Sequence, residues 1–400
     1  MNINKGRLRQ RFGNQREGKM ELAKRVERVR PSVTMEFDAK SKAMKKKDPD
    51  TIILAAGEPD FAPPEIVQQA TIEAVRKGKT KYTAARGESD LRQTVADWVA
   101  NDRGLNYDPE EQVIITNGGK EAIFLALFAI VNPGDEVLII KPYWTSYPEM
   151  VKSCGGEVHA LDYNDLDKIS SVLASSEIKV IILNSPNNPA GYVFSDNLLA
   201  DLSLELKERN IWVISDEIYS PIVFGQNKHF SIAQFNNLSE KTVIVDGASK
   251  SLAMTGYRLG YALGPKSVID AMAIFKSQTS GCPNSLSQQA ALQGLNQAAK
   301  DIANMKAAYE KRFAEIILPF AKESGLQYFD PQGAFYWFFK LPGEKPDCLT
   351  FCNRLLEQDK LGLVPGVAFG YPGWVRLSFA AAEKDLIEGL RRLKKFLHKK

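Results

Sequence analysis

The stretch "VDGASKSLAMTGYRLG", residues 245–260, decides how the chain is to be read. It leaves an apolar, β-rich run (Val243, Ile244, Val245) and enters small residues, with Lys250 among them and Arg258 eight positions later. A lysine in a small-residue loop after a strand is ordinarily a solvated side chain. It becomes an amine held for chemistry if other strands end nearby in groups that would use it. The flanking segments supply that test.

Over residues 110–265, β-rich runs alternate with helical patterns. "QVIIT", "EVLII", "KVIIL", "IWVIS" and "KTVIVD" read as buried strands, and "GKEAIFLALFAIVNPGD" as a helix closing on an Asn-Pro-Gly turn. This alternation predicts an α/β fold with a mostly parallel central sheet. Such sheets bind ligands at the C-terminal ends of their strands. The expected organisation is a large domain over 66–299 and a smaller α/β domain built from 20–65 and 300–400. The smaller one contains the strand "AFYWFFKL" and a last helix with Leu386, Ile387, Leu390, Leu393 and Leu397 on one face.

Composition narrows the chemistry. A chain of 400 residues has room for two domains, and its 44% hydrophobic and 25% charged content is ordinary for a globular protein. No apolar run reaches the length of a membrane span. Four cysteines make no disulfide framework, and three histidines leave little material for a zinc site or a histidine-based triad; no metal is expected, and the compartment reads as cytoplasmic. Residues 1–19 hold six basic residues and one acid, while the remainder has 46 basic and 47 acidic residues. That extension lacks an apolar stretch for a secretory signal and is expected to be a disordered, dispensable tail.

Each strand of the central region runs into polar residues that packing does not require. "VIIT" leads to "NGGKEAIF", where Gly118 and Gly119 open a helix whose N–H groups make an anion seat, with Lys120 next to them. "VLII" leads to "KPYW", and Trp144 either packs or presents its face to a ring. "IIL" leads to "NSPNNPAG", a stiff loop bearing Asn188. "WVIS" leads to "DEIY", where Asp216 and Tyr219 stand at the sheet's edge; an acid so placed is costly without a positive partner.

Pyridoxal phosphate fits these groups, since it offers a pyridine nitrogen, a phenolic oxygen, a phosphate and an aldehyde. Asp216 would face the ring nitrogen, Tyr219 and Asn188 the phenolic oxygen, and Trp144 the ring. Gly119, the helix terminus and Arg258 would hold the phosphate, and Lys250 would join the aldehyde. A lysine must be neutral to do so, and a buried, cation-rich site lowers its pKa.

In this order, "GEPDF" (57–61), "NGGK" (117–120), "SPNNPAG" (185–191), "DEIY" (216–219), "SK" with "MTGYRLG" (249–260) and "VRLSFA" (375–380) resemble the signature set of the class I aminotransferases. The resemblance runs from about residue 20 to the C-terminus. It implies a fold type I homodimer with shared active sites, in which Tyr82 reaches the phosphate bound by the neighbouring subunit. It also implies that Arg376 and the Gly57 N–H bind the substrate α-carboxylate, with Trp144 and Asn188 beside it. The resemblance also puts Lys120 beside the cofactor. Two positions depart from the common pattern: Gly247 stands where many relatives have serine, which leaves Ser249 as the nearby hydroxyl for the cofactor, and Tyr257 stands where tryptophan is common.

The similarity to the aspartate/prephenate branch implies that Lys120, Ser32 and Thr34 bind a distal carboxylate; Lys120 otherwise simply begins a helix. The expected reaction moves an amino group between aspartate or glutamate and 2-oxoglutarate or oxaloacetate, with prephenate a further acceptor. A carbon–sulfur β-lyase on the same fold is the alternative. A transcription regulator would need a DNA-binding module that a short basic arm does not supply, so the expected partners are small molecules and a second copy, not nucleic acid or membrane.

Overall fold

The valine- and isoleucine-rich runs form one seven-stranded sheet in a computed structural model that describes residues 21–343 and 347–398. Its strands are β1 (Val113–Thr116), β2 (Glu136–Lys141), β3 (Glu157–Asp162), β4 (Ile178–Asn184), β5 (Trp212–Asp216), β6 (Thr242–Asp246) and β7 (Gly260–Leu263). They lie in the order β1-β7-β6-β5-β4-β2-β3. From β6 to β3 all neighbours are parallel, and β7 alone runs against both of its partners. The expectation for residues 1–19 lies outside the described residues.

Alternate side chains face opposite layers of helices. Ile139, Ile182, Ile214 and Val243 pack with the helices Gly119–Ile130 and Lys266–Gln278. Leu138, Ile181 and Val213 pack with the helix Asp196–Leu206, and Ile115 and Ile244 with the helices Ser89–Arg103 and Ser285–Gln297. Covered on both faces, these strands are apolar throughout, which is why they are visible as runs. Each leucine or isoleucine so buried contributes about 1.5–3 kcal/mol. The edge strand β3, "EVHALD", is only partly covered and has no such run.

A second, four-stranded antiparallel sheet comprises β8 (Tyr328–Phe329), β9 (Tyr336–Lys340), β10 (Val364–Pro365) and β11 (Trp374–Ser378), in the order β10-β11-β9-β8. Its core holds Phe335, Trp337, Phe339 and Leu377 against Leu355 and the last helix, Glu383–Leu397. Leu386, Leu390 and Leu393 are buried as expected, but Ile387 is 59% exposed. One residue past Leu386 is about 100° around the helix, off the stripe; at the far end Phe396 is buried and the expected Leu397 only partly so. The helix Val33–Lys47 and a two-residue parallel pairing of Ile52–Ile53 with Leu361–Gly362 join the N-terminal segment to this sheet. No helix among the described residues is long and apolar enough to cross a membrane.

The topology fixes where the polar strand ends meet. β2, β4, β5 and β6 all finish on one edge, with Asn184 opposite Asp216 and Asp216 opposite Val245. From the other sheet, the central strand β11 brings Arg376 to the same gap.

Candidate active site

A cavity of ≈ 420 Å³ lies between that edge and β11, a size suited to a small cofactor with its substrate. Twelve residues named from the sequence line it: Thr34, Gly57, Gly119, Lys120, Trp144, Asn188, Asp216, Tyr219, Ser249, Lys250, Arg258 and Arg376. Residues as distant as 34 and 376 thus line one cavity, Thr34 from the helix Val33–Lys47 and Arg376 from β11.

Lys250 follows β6 in a single helical turn, Ala248–Ser251, and its Nζ donates to the Gly57 carbonyl at 2.5 Å. Its pKa falls to about 8, chiefly because the amine is withdrawn from water, with Arg376 and Arg258 adding repulsion; Glu58 and Asp216 oppose the shift. At neutral pH an appreciable fraction of the amine is therefore unprotonated. Asp216, at the end of β5, has the opposite displacement. Burial raises its carboxyl to about 6, although Tyr147 Oη donates to it at 2.5 Å and the Ile218 N–H at 3.3 Å. No ion pair neutralises it among the described residues, while the nearby carboxyls of Asp246 and Glu217 push its pKa further up. A buried carboxyl without a cation is a seat for a cationic group.

The helix Gly119–Ile130 begins at this edge with no side-chain cap, leaving its N-terminal donors for an anion. Gly118 has φ +87°, and a Cβ there would stand 2.7 Å from the Arg258 guanidinium. Arg258 is itself held by the Thr255 carbonyl at 3.0 Å. Opposite, a Cβ on Gly260 would lie 2.3 Å from the Gly119 nitrogen, so β7 approaches the helix start as closely as bare backbone allows. Gly247, the departure from the common pattern, is equally confined: a Cβ would meet Gly260 Cα at 2.8 Å. Ser249 is the hydroxyl that lines the cavity here.

On the opposite wall Arg376 is buried, stacked 4.4 Å above the Tyr336 ring and 5.0 Å from Phe369. One guanidinium nitrogen donates to Asn188 Oδ1 at 2.9 Å and another to the Ala55 carbonyl at 2.8 Å, while Nε is buried without a partner. Leaving such a donor unpaired costs about 1–3 kcal/mol. Asn188 is held in turn by its N–H on Asn184 Oδ1 at 2.8 Å, and Tyr219 Oη meets Tyr336 Oη at 2.7 Å.

Lys120 stands at the rim, its Nζ 4.9 Å from the Trp144 ring centre, and partial burial together with Arg258 lowers its pKa. Thr34 faces Thr145 at 3.5 Å. Ser32 does not line the cavity; it caps the helix Val33–Lys47 by accepting the Met35 N–H and touches Thr34 at 2.9 Å. Its place is behind Thr34, one contact removed from any ligand. Tyr82 is 97% exposed, away from this chain's own cavity. The sequence reading did not identify Tyr147, Tyr336, Asn184 or Glu58. Asn184, Glu58 and Tyr336 fall within quoted stretches, Tyr336 in one read only as a strand, and Tyr147 carries no local signal.

A lysine of lowered pKa, a cation-free buried aspartate and a buried arginine around one cavity at the sheet's C-terminal edge define an enzyme that works on amines and carboxylates. The chain belongs to the family described as aminotransferase class I and II, which residues 49–393 match. It is 38% identical to the aspartate aminotransferase of Thermotoga maritima over 94% of this chain and 99% of that one. It is likewise 38% identical to the aspartate/prephenate aminotransferase of Thermus thermophilus, over 94% and 98%. Among solved structures, the aspartate aminotransferase from Thermus thermophilus with maleate superposes with a TM-score of 0.89 at 37% identity, covering 94% of this chain and 100% of that one.

Proposed function

We propose that the protein is an aminotransferase that moves an amino group between aspartate or glutamate and a 2-oxo acid such as 2-oxoglutarate or oxaloacetate, with prephenate as a further acceptor and pyridoxal phosphate as cofactor. The observation that carries the reading is the meeting of Lys250, Asp216 and Arg376 on one cavity. The residues fit the cofactor: Asp216 lacks a cation, and the uncapped helix start beside Arg258 lacks an anion. When bound, pyridoxal phosphate supplies an aldehyde that condenses with amines and a ring that accepts electron density from the substrate.

The chain's own part follows from its groups. Asp216 would face the ring nitrogen and keep it protonated. The Asn188 amide and Tyr219 hydroxyl would donate to the ring oxygen, Trp144 would cover the ring, and Gly119, Ser249 and Arg258 would hold the phosphate, with Lys120 alongside. Arg376, with the Gly57 N–H, would grip the substrate α-carboxylate and so aim its Cα hydrogen at Lys250. The Lys250 amine, about half of it unprotonated near pH 8, would take that proton and hold it beside the cofactor. This orientation favours transfer over the β-lyase alternative, as do the names of the relatives.

Lys120 and Thr34, at the other end of the cavity, would meet a distal carboxylate. A lysine in the first turn opposes the helix dipole by about 0.3–1 kcal/mol, which an anionic ligand would offset. Replacing Lys120→Ala should lower kcat/KM for dicarboxylates about 10–100-fold and leave alanine nearly unchanged, the loss of one charge-assisted hydrogen bond. A steady-state panel of donors against 2-oxoglutarate, prephenate and pyruvate measures this; equal losses for aspartate and alanine would remove Lys120 from recognition.

The exposed Tyr82 supports a homodimer with shared sites, and four free cysteines support a reducing, cytoplasmic setting. Closure of a small domain (20–65 and 300–400) over a large one (66–299) would bring Arg376 onto the bound substrate.

A further inference from the structure

Beneath the cavity floor lies a buried charge cluster that the proposed chemistry does not use. Arg103 is the last residue of the helix Ser89–Arg103, and its side chain, 1% exposed, enters between the ends of β5 and β6. One guanidinium nitrogen lies 2.6 Å from Asp246 Oδ2 and also donates to Ser220 Oγ; Nε lies 3.2 Å from Glu217 Oε2. Glu217 is wholly buried and further held by His229 Nε2 at 2.9 Å, Ser215 at 2.8 Å and Ser231 at 2.5 Å. Asp246 also accepts the Gly247 N–H at 2.7 Å. The two carboxylates thus flank the groups that matter: Glu217 is the residue after Asp216, and Asp246 stands four residues before Lys250.

Three carboxyls crowd one edge, and Arg103 contacts two of them. Resting on the reading that the cavity holds pyridoxal phosphate, we propose that Arg103 is a positioning residue: it offsets the charge of Glu217 and Asp246 and pins their strand ends, leaving Asp216, which has no ion-pair partner among the described residues, for the cofactor's ring nitrogen. Without it, two uncompensated negative charges would compete for that cation and raise the proton affinity at Lys250. The groups facing the cluster are accounted for. Asp102 reaches Arg103 at 3.4 Å from the same helix, and the phenols of Tyr107 and Tyr261 are buried beside it with raised pKa values, so both stay neutral. Tyr147 and Tyr219, facing Asp216, are likewise held neutral. Glu217 is kept ionised, its pKa lowered to about 2 against the pull of burial by Arg103 and His229.

The test compares the cofactor-loaded wild type with Arg103→Gln, Arg103→Lys and Glu217→Gln, reading the pH midpoint of the visible absorption band and the cofactor dissociation constant. Arg103→Gln should raise the midpoint by about one pH unit and weaken cofactor binding about tenfold, whereas Arg103→Lys should restore the midpoint. Glu217→Gln, which removes one of the two negative charges, should lower the midpoint. If Arg103→Gln does not fold, the direction of the Glu217→Gln shift decides. A midpoint and dissociation constant unmoved in both neutral variants, or moved upward in Glu217→Gln, would overturn the proposal and leave Arg103 a structural residue. A wild type with no visible band that borohydride fixes to Lys250 would instead sink the cofactor reading, and this inference with it.

Discussion

On the proposed function, Asp216 trades stability for its role. Its carboxyl is ionised at neutral pH although burial raises its pKa to about 6, from an ordinary value near 4. In the cofactor-free protein that charge is a burden. It is absent below pH 4, where both folded and unfolded chains bind the proton, grows between pH 4 and 6, and is complete above. Asp216→Asn should therefore stabilise the cofactor-free protein at pH 7, by about 1–3 kcal/mol, while abolishing most turnover. Urea unfolding of both forms at pH 7 and pH 4 measures it: the gain should vanish at the lower pH, and a less stable Asn variant at pH 7 would show the carboxylate to be structural. Asp216, Lys250 and Asn188 were legible in the sequence because each follows a β-rich run, which puts it on the ligand-binding edge. Tyr147 and Tyr336 were not. Their roles come from contacts with Asp216 and Tyr219 made 69 and 117 residues away, and spacing carries no trace of such contacts.

Among the elements, β7 and the helix Gly119–Ile130 depend on each other. The strand begins at Gly260 so that bare backbone can pass the helix start, where a Cβ would lie 2.3 Å from the Gly119 nitrogen. Gly260→Ala should push the two apart at a cost of about 1–3 kcal/mol and weaken cofactor binding at least about tenfold. Gly256, in the same motif, has nothing within 4 Å of its Cβ position, so Gly256→Ala is the matched control. Titrating both with pyridoxal phosphate separates them; equal affinities would mean that the close approach does not shape the seat. Five strands were readable as apolar runs because helices cover both their faces. β3 was not, being half-open at the edge, and β7 was hidden inside a motif read for its arginine and lysine. Ile387 was misplaced for a similar reason: a cluster of apolar letters at the last helix does not say which of two adjacent residues turns inward.

For the whole molecule, the outstanding matter is whether one chain completes a site. Tyr82 is exposed on this chain. If it serves a second copy, Lys250→Ala and Tyr82→Ala should complement each other. Mixed after mild unfolding and refolding, equal amounts of the two crippled proteins form hybrid dimers, each with one fully native site, and should recover about a quarter of wild-type activity. Activity no greater than the average of the two parents would mean that each chain supplies its own phenol, or none. The α/β class and the parallel sheet were legible from alternating runs; the pairing of two chains was not, since it rested on resemblance alone.

The placement of β7 also bears on the order in which the protein can be made. It is the last strand of the large sheet along the chain, yet it lies between β1 and β6. Residues 119 and 258, which frame the anion seat, are thus brought together by a long-range insertion, a slow kind of event in folding. Among the described residues β1 pairs only with β7, so a nascent chain that has paired β2 to β6 has no seat to offer, and a cofactor bound as proposed would not template the sheet. It would recognise only the finished fold and hold it there, by about 2.7 kcal/mol when present at a hundred times its dissociation constant.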